Sequence, residues 1–238
     1  MVAQNALPPG HLRSVGPGWQ FFAVESFMDE IAHKLGRDPL ELRLSLLDAT
    51  GKNAGSGITT GGAKRLAAVL QNVADRAGYG SERPENSAIG LACVSSQERA
   101  SASWTACAAD VSVDPADGYV TVNKLKLATE VGTAVNPDGV KAQLTGSALW
   151  GVSLALHEVT TLTNGAIEAS NYDGYTPLRM FDLPEIDAEV LSVGGYPTGC
   201  GEPGTTVVAP AIANAIFAAT GARVRSLPIT ADKVKAAM

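Results

Sequence analysis

The chain has 238 residues with 18 Lys and Arg against 24 Asp and Glu, a formal charge of −6, and no local run of basic residues. That balance argues against a nucleic-acid groove, which needs a concentrated positive field. With 45% hydrophobic and 18% charged residues, one large or two small domains can bury a core without disulfide or metal staples.

Gly and Pro punctuate residues 1–20, which are expected to form loop. From Phe22 the spacing of Val24, Phe27, Met28, Ile31 and Leu35 predicts a helix with Glu25, Asp29 and Lys34 on the opposite, polar side. Gly36 supplies a left-handed stop. Asp38 then caps a second helix begun by Pro39, with Leu40, Leu44 and Leu47 as its apolar stripe. Residues 50–62 form a Gly-rich connection; Arg65 after Lys64 excludes a Walker A loop, so a linker is expected. Leu66, Val69, Leu70, Val73 and Ala77 mark a third amphipathic helix closed by Gly78.

From Ala88 the pattern changes to strands over 88–96, 104–113 and 119–131, with a hairpin turn at Pro115–Gly118. A phase slip between Val122 and Leu125 suggests a bulge. Asn136-Pro137 opens a helix running to about Leu156, Asn164-Gly165 forms a further hairpin, and 188–193 is a strand. The helix expected at 208–220 is apolar on every side except Asn214 and is therefore buried. No uncharged apolar stretch is counted as long enough to span a membrane, and residues 1–5 lack the basic and apolar regions of a signal peptide.

Three cysteines (Cys93, Cys107, Cys200) form no CxxC pair, and His11, His33 and His157 show no metal-ligand spacing. No disulfide scaffold, iron–sulfur cluster or protein-ligated metal is expected from this chain. His157 and His33 are expected at the core boundary and in solvent, and Trp19, Trp104 and Trp150 in packing. The stretch Gly199-Cys200-Gly201-Glu202-Pro203-Gly204 fits the letters GxGxxG. A carboxylate and a proline stand where backbone N–H groups would face a pyrophosphate, so a dinucleotide fingerprint is a poor match. Two readings remain from the residues alone: a tight turn with a solvent-facing Glu202, or glycines that present a partly desolvated Glu202 as a general base.

Three stretches together resemble one family. They are Leu12-Arg13-Ser14-Val15-Gly16 with Phe22–Glu30 and Asp38–Arg43; Glu130-Val131-Gly132 through Asn136-Pro137-Asp138 to Gln143-Leu144-Thr145-Gly146; and Gly201-Glu202-Pro203-Gly204 with Ala209–Gly221 and Arg225–Ile229. Their order and spacing are similar to the C-terminal part of the molybdenum-cofactor-binding large subunit of the xanthine dehydrogenase/aldehyde oxidase family, closest to its isoquinoline 1-oxidoreductase and aldehyde dehydrogenase branch. The resemblance implies oxidative hydroxylation of an aldehyde or N-heteroaromatic ring, with water as the oxygen source. It implies Glu202 as the catalytic base and Arg13, Ser14, Gln143 and Gly201 as cofactor-binding residues, the metal being held by the pterin. The molybdenum–molybdopterin cofactor, in its cytosine dinucleotide form, would be shared with other chains, and iron–sulfur clusters would sit on a partner subunit. The upstream Gly-Gly-Phe-Gly and Gly-Gln-Gly cofactor loops of the family have no counterpart here. The remaining part of the large subunit, an iron–sulfur subunit and a small-molecule substrate are the implied partners; nucleic acid and a membrane span are not. A truncated, non-catalytic relative that binds partner subunits without cofactor is the alternative.

The expected fold is α+β: a loop and helical part over 1–86, then a β-sheet region with packed apolar helices over 87–238, which carries Glu202.

Overall fold

A computed structural model describes residues 10–48, 62–96 and 102–238. Nearly all of the linker expected at 50–62 lies outside the described residues. The elements run α1 (Val15–Lys34), α2 (Pro39–Leu46), α3 (Gly62–Ala77), β1 (Ser87–Ser96), β2 (Ser103–Val113), β3 (Val120–Glu130), α4 (Pro137–Leu156), the short hairpin β4 (Leu162–Thr163) and β5 (Ala166–Ile167), β6 (Glu185–Leu191), α5 (Pro203–Thr220) and α6 (Ala231–Ala237).

The core is an α+β arrangement around a sheet ordered β1-β2-β3-β6. The first three strands are antiparallel neighbours. The crossover through α4 brings β6 in parallel to β3. Lys124 and Lys126 of β3 stand directly opposite Glu185 and Asp187 of β6, with ion pairs of 2.5 and 2.6 Å. Opposite charges at facing positions favour this register over a slipped one. Arg76 of α3 adds a 2.6 Å pair to Asp187, and the hydrogen bonds from Arg76, and then Lys126, hold the Asp187 carboxyl down at about 2. The expected bulge is present: pairing slips between Asp110 and Val111, leaving Asn123 as the extra residue.

Because successive strand residues point to opposite faces, the sheet divides its apolar side chains between two layers. Ala92, Val94, Cys107, Leu125 and Leu127 join the core formed with α4 and α5. Leu91, Cys93, Ala106, Ala108 and Ala128 join Val69, Leu70, Val73 and Ala74 of α3. Gly90 permits a close contact between the sheet and α5, since a Cβ there would lie 2.1 Å from the Ala215 nitrogen. α5 is buried from Pro203 through Ile216. Contrary to the expectation from sequence, its 18 uncharged residues are long and apolar enough to cross a membrane, yet most of the helix lies inside the protein.

The second and third helices lie where expected, but α2 buries Leu42 and Arg43, while Leu40 and Leu44 of its expected stripe are only partly buried. Asp38 accepts hydrogen bonds from the Leu40 and Glu41 amides, and Gly36 and Gly78 are left-handed. The first helix does not lie where expected. It begins at Val15 rather than Phe22, because Pro17 in the first turn removes only an N–H that would have no helical partner anyway. Its buried side is Phe22, Glu25, Ser26, Asp29 and Ala32, while Val24, Phe27, Leu35 and Trp19 are largely exposed. The apolar periodicity therefore picked the wrong face.

The reason is a polar network at the free edge of β1. Glu25 accepts from Arg43 Nε at 3.0 Å and from the Cys93 backbone N–H at 3.0 Å. Asn214 of α5 donates to the Leu91 carbonyl at 3.0 Å and to the Glu25 carbonyl at 3.3 Å. Arg223 bridges Asn214 and Asp29 at 2.9 and 2.5 Å and lies over the Phe217 ring. These side chains satisfy edge-strand groups that would otherwise be buried unpaired. Glu25→Ala is expected to cost about 3–5 kcal/mol, because Arg43 is left as a buried charge without its partner. Denaturant unfolding of the assembled protein checks this, and a loss below 1 kcal/mol would contradict the account.

Candidate active site

Three chain segments meet at the N-terminus of α5. Arg13 lies just ahead of α1, Gln143 in the second turn of α4, and Gly201-Glu202 immediately before Pro203. Arg13 Nε donates to the Gly201 carbonyl at 2.5 Å, across 188 positions of sequence. Its Nη2 donates to Gln143 Oε1 at 2.8 Å and to the Gln143 carbonyl at 3.3 Å. Three of the sequence-predicted residues, Arg13, Gln143 and Gly201, thus form one hydrogen-bonded cluster, with Glu202 adjoining it.

Burial lowers the Arg13 pKa from its ordinary value, opposed by the nearby charges of Glu202 and Cys200. The Cys200 thiol is pushed up by burial, and Arg13 pulls the other way. Ser14 is buried and left-handed at φ 87°. It lines a cleft of about 310 Å³ with Gly18, Trp19, Gly151 and Thr205, and its hydroxyl would collide with a Cβ at Gly18, 2.2 Å away. Ser14 is therefore adjacent to the Arg13 cluster in sequence but directed into the helix packing beside it.

Glu202 sits differently from expectation. α5 starts at Pro203, five residues before the helix predicted at 208, so Glu202 occupies the N-cap position rather than the middle of a loop. Pro203 at N1 favours this early start. The Glu202 side chain makes no capping hydrogen bond. Its half-buried carboxylate lies at the positive end of the helix dipole, while its backbone carbonyl accepts from the Thr205 amide at 3.0 Å. Gly204 has a packing role: a Cβ there would lie 2.1 Å from Ser147 Oγ and 2.8 Å from the Leu144 carbonyl. Gly151 makes the matching approach from α4, 2.9 Å from Val208 Cβ. At Gly201 the nearest atom to a Cβ is Gln143 Oε1 at 3.7 Å, an ordinary contact.

A neighbouring acidic site had no signal beyond its place in the motif. Glu130, at the end of β3, is 1% exposed. It pairs with Arg65 of α3 at 3.3 Å and accepts from the Gly132 amide at 2.6 Å. Arg65 also lies over the Trp104 ring, 4.7 Å from its centroid. Trp104 is buried as expected, but Trp19 is 60% exposed rather than a packing residue. Among the described residues, no group of three His, Cys, Asp or Glu is placed to hold a metal.

A family model for the molybdopterin cofactor-binding domain matches residues 34–184. The chain belongs to that family. The matched region includes Gln143 but neither Arg13 nor Glu202. The chain is 46% identical over 230 residues to a membrane-bound aldehyde dehydrogenase [pyrroloquinoline-quinone] of Gluconacetobacter polyoxogenes, covering 96% of this chain and 30% of the relative. It is 30% identical to the isoquinoline 1-oxidoreductase subunit beta of Brevundimonas diminuta, covering 92% of this chain and 26% of that protein. The fold matches the aldehyde oxidoreductase of Desulfovibrio gigas with a TM-score of 0.73 at 17% identity, over 95% of this chain and 41% of that one. The chain therefore spans less than a third of the length of these two curated relatives.

In this molybdopterin-binding domain the two glycines flanking Glu202 and Pro203 should differ in their tolerance of a side chain. Gly204→Ala must push α5 from α4 and is expected to cost about 1–3 kcal/mol, typical of overpacking. Gly201→Ala should cost less than half as much. Thermal unfolding of the two variants in the assembled protein checks the order.

Proposed function

We propose that this chain is the base-bearing portion of a molybdenum hydroxylase that oxidises an aldehyde or N-heteroaromatic substrate, with Glu202 as the base. The observation that carries this reading is the joining of Arg13, Gln143 and Gly201 beside an uncapped carboxylate, in a chain of this family. The two curated relatives named above act, by their names, on an aldehyde and on isoquinoline.

The residues present fit a polar, anionic cofactor. Arg13 uses Nε and Nη2 on Gly201 and Gln143, leaving its Nη1 donors for an acceptor. Gln143 is exposed and carries both a donor and an acceptor. Thr198 Oγ1, four residues before Glu202, is buried with no hydrogen-bond partner, as expected of a hydroxyl awaiting a polar ligand. When bound, the molybdenum cofactor supplies the two-electron acceptor for the oxidation. Arg13 and Gln143 would hold its polar groups, with Gly201 allowing close backbone approach and Ser14 shaping the adjoining wall. Glu202, at the α5 terminus beside the Arg13 cluster, would take up the proton released as water-derived oxygen is transferred. The cofactor's cytosine dinucleotide form, its sharing with the remaining part of the large subunit, and iron–sulfur clusters on a partner subunit belong to the same proposal.

Glu202→Gln keeps the shape but cannot accept the proton. In the assembled enzyme it is expected to lower turnover by about 10²–10⁴-fold with KM little changed. Molybdenum content should equal that of the parent. Near-normal turnover in a molybdenum-replete variant would return Glu202 to a structural turn.

The chain expressed alone is expected to bind no molybdenum cofactor, because the residues described here build one side of a pocket. Metal analysis of the isolated chain and of the assembled complex checks this; stoichiometric molybdenum on the isolated chain would overturn it. A complex that assembles without molybdenum would favour the non-catalytic alternative. A quinone in its place would match the first relative's name instead of the family model.

A further inference from the structure

We propose that Glu130 is a positioning residue: paired with Arg65 and accepting from the Gly132 amide, it anchors the turn from which the Glu202-bearing segment 192–202 is hung. The role for Glu202 rests on the function proposed above; the anchoring rests on geometry alone.

The segment between β6 and α5 has few regular backbone partners of its own. It is tied to the turn after β3 at several points. The Thr198 amide donates to the Val131 carbonyl at 2.9 Å. Thr133 Oγ1 donates to the Gly195 carbonyl at 2.8 Å. Ser192 Oγ donates to the Gly132 carbonyl at 3.3 Å and accepts from the Ala134 amide at 3.4 Å. Gly132 adopts φ +72°, and a Cβ there would lie 2.1 Å from the Tyr196 carbonyl, so the two backbones touch.

That turn is held in turn by Glu130. Its buried carboxylate uses one oxygen on the Gly132 amide and the other on Arg65. Arg65 is itself fixed over Trp104, which is 1% exposed. A buried carboxylate with both oxygens engaged resists rotation, since each alternative orientation leaves a buried charge or amide unpaired. The anchor therefore runs from the α3–sheet core through Glu130 and Gly132 to Thr198, four residues from Glu202.

Cys200 gives a readout independent of catalysis. It is half-buried, whereas Cys93 and Cys107 are fully buried. In the assembled enzyme, pulsed thiol labelling of the peptide carrying Cys200 is read by mass spectrometry. Glu130→Gln and the milder, surface Thr133→Val should each raise that labelling rate, Glu130→Gln by about tenfold, as a charged hydrogen bond ceases to oppose local opening. Asp110→Asn, which breaks the separate Arg83–Asp110 pair, should leave it unchanged. Unaltered labelling in Glu130→Gln and Thr133→Val overturns the anchor, as does an equal rise in Asp110→Asn. If Glu130→Gln fails to assemble, Thr133→Val decides alone. With the anchor loosened, kcat should fall while KM holds, and the pH profile of kcat should shift. Faster labelling with unchanged kcat would uphold the anchor and refute Glu202 as the base.

Discussion

The placement of α1 depends on a buried exchange of hydrogen bonds at the open edge of the sheet. The outward-facing Cys93 N–H and Leu91 carbonyl of β1 have no strand to meet. Glu25 and Asn214 take them, and Arg43, Arg223 and Asp29 complete the charge balance. Burying several charged groups is unfavourable unless each finds its partners, so the network admits one docking of α1 against α5 and β1. Arg13 lies two residues before α1, and its reach to Gly201 depends on that docking.

The same constraint accounts for the apolar outer side of α1. With Glu25 and Asp29 turned inward, Trp19, Val24 and Phe27 must face outward. Such an outward apolar side is suited to cover by further protein, in keeping with the remainder of a large subunit proposed above.

The site itself is a seam between helix ends. Small residues let α4 and α5 approach closely, Gly204 against Ser147 and Gly151 against Val208. That approach places Gln143 beside Gly201, where one guanidinium can bond both. The Glu130 turn supports the other flank of the segment. The reactive candidates are thus held by packing and backbone hydrogen bonds of the surrounding elements, with little regular structure in the segment that carries Glu202.

Much of this was legible in the chain. Asp38, Asn136, Gly36 and Gly78 mark helix ends by local rules that depend on a few neighbouring atoms, and the strand alternation and its slip at Asn123 are equally local. The apolar run around Asn214 showed that α5 is buried, and the spaced motifs around Arg13, Gln143 and Glu202 pointed to the family. The inward face of α1 was not legible, because hydrophobic periodicity treats Glu25 and Asp29 as surface groups, and their partners Arg43, Cys93 and Arg223 are distant in sequence. The start of α5 at Pro203, the packing role of Gly204 and the joining of Arg13 to Gly201 were likewise decided only by tertiary structure. Each depends on which atoms a neighbouring element brings within a few ångströms, and a single strand of sequence carries no record of that distance.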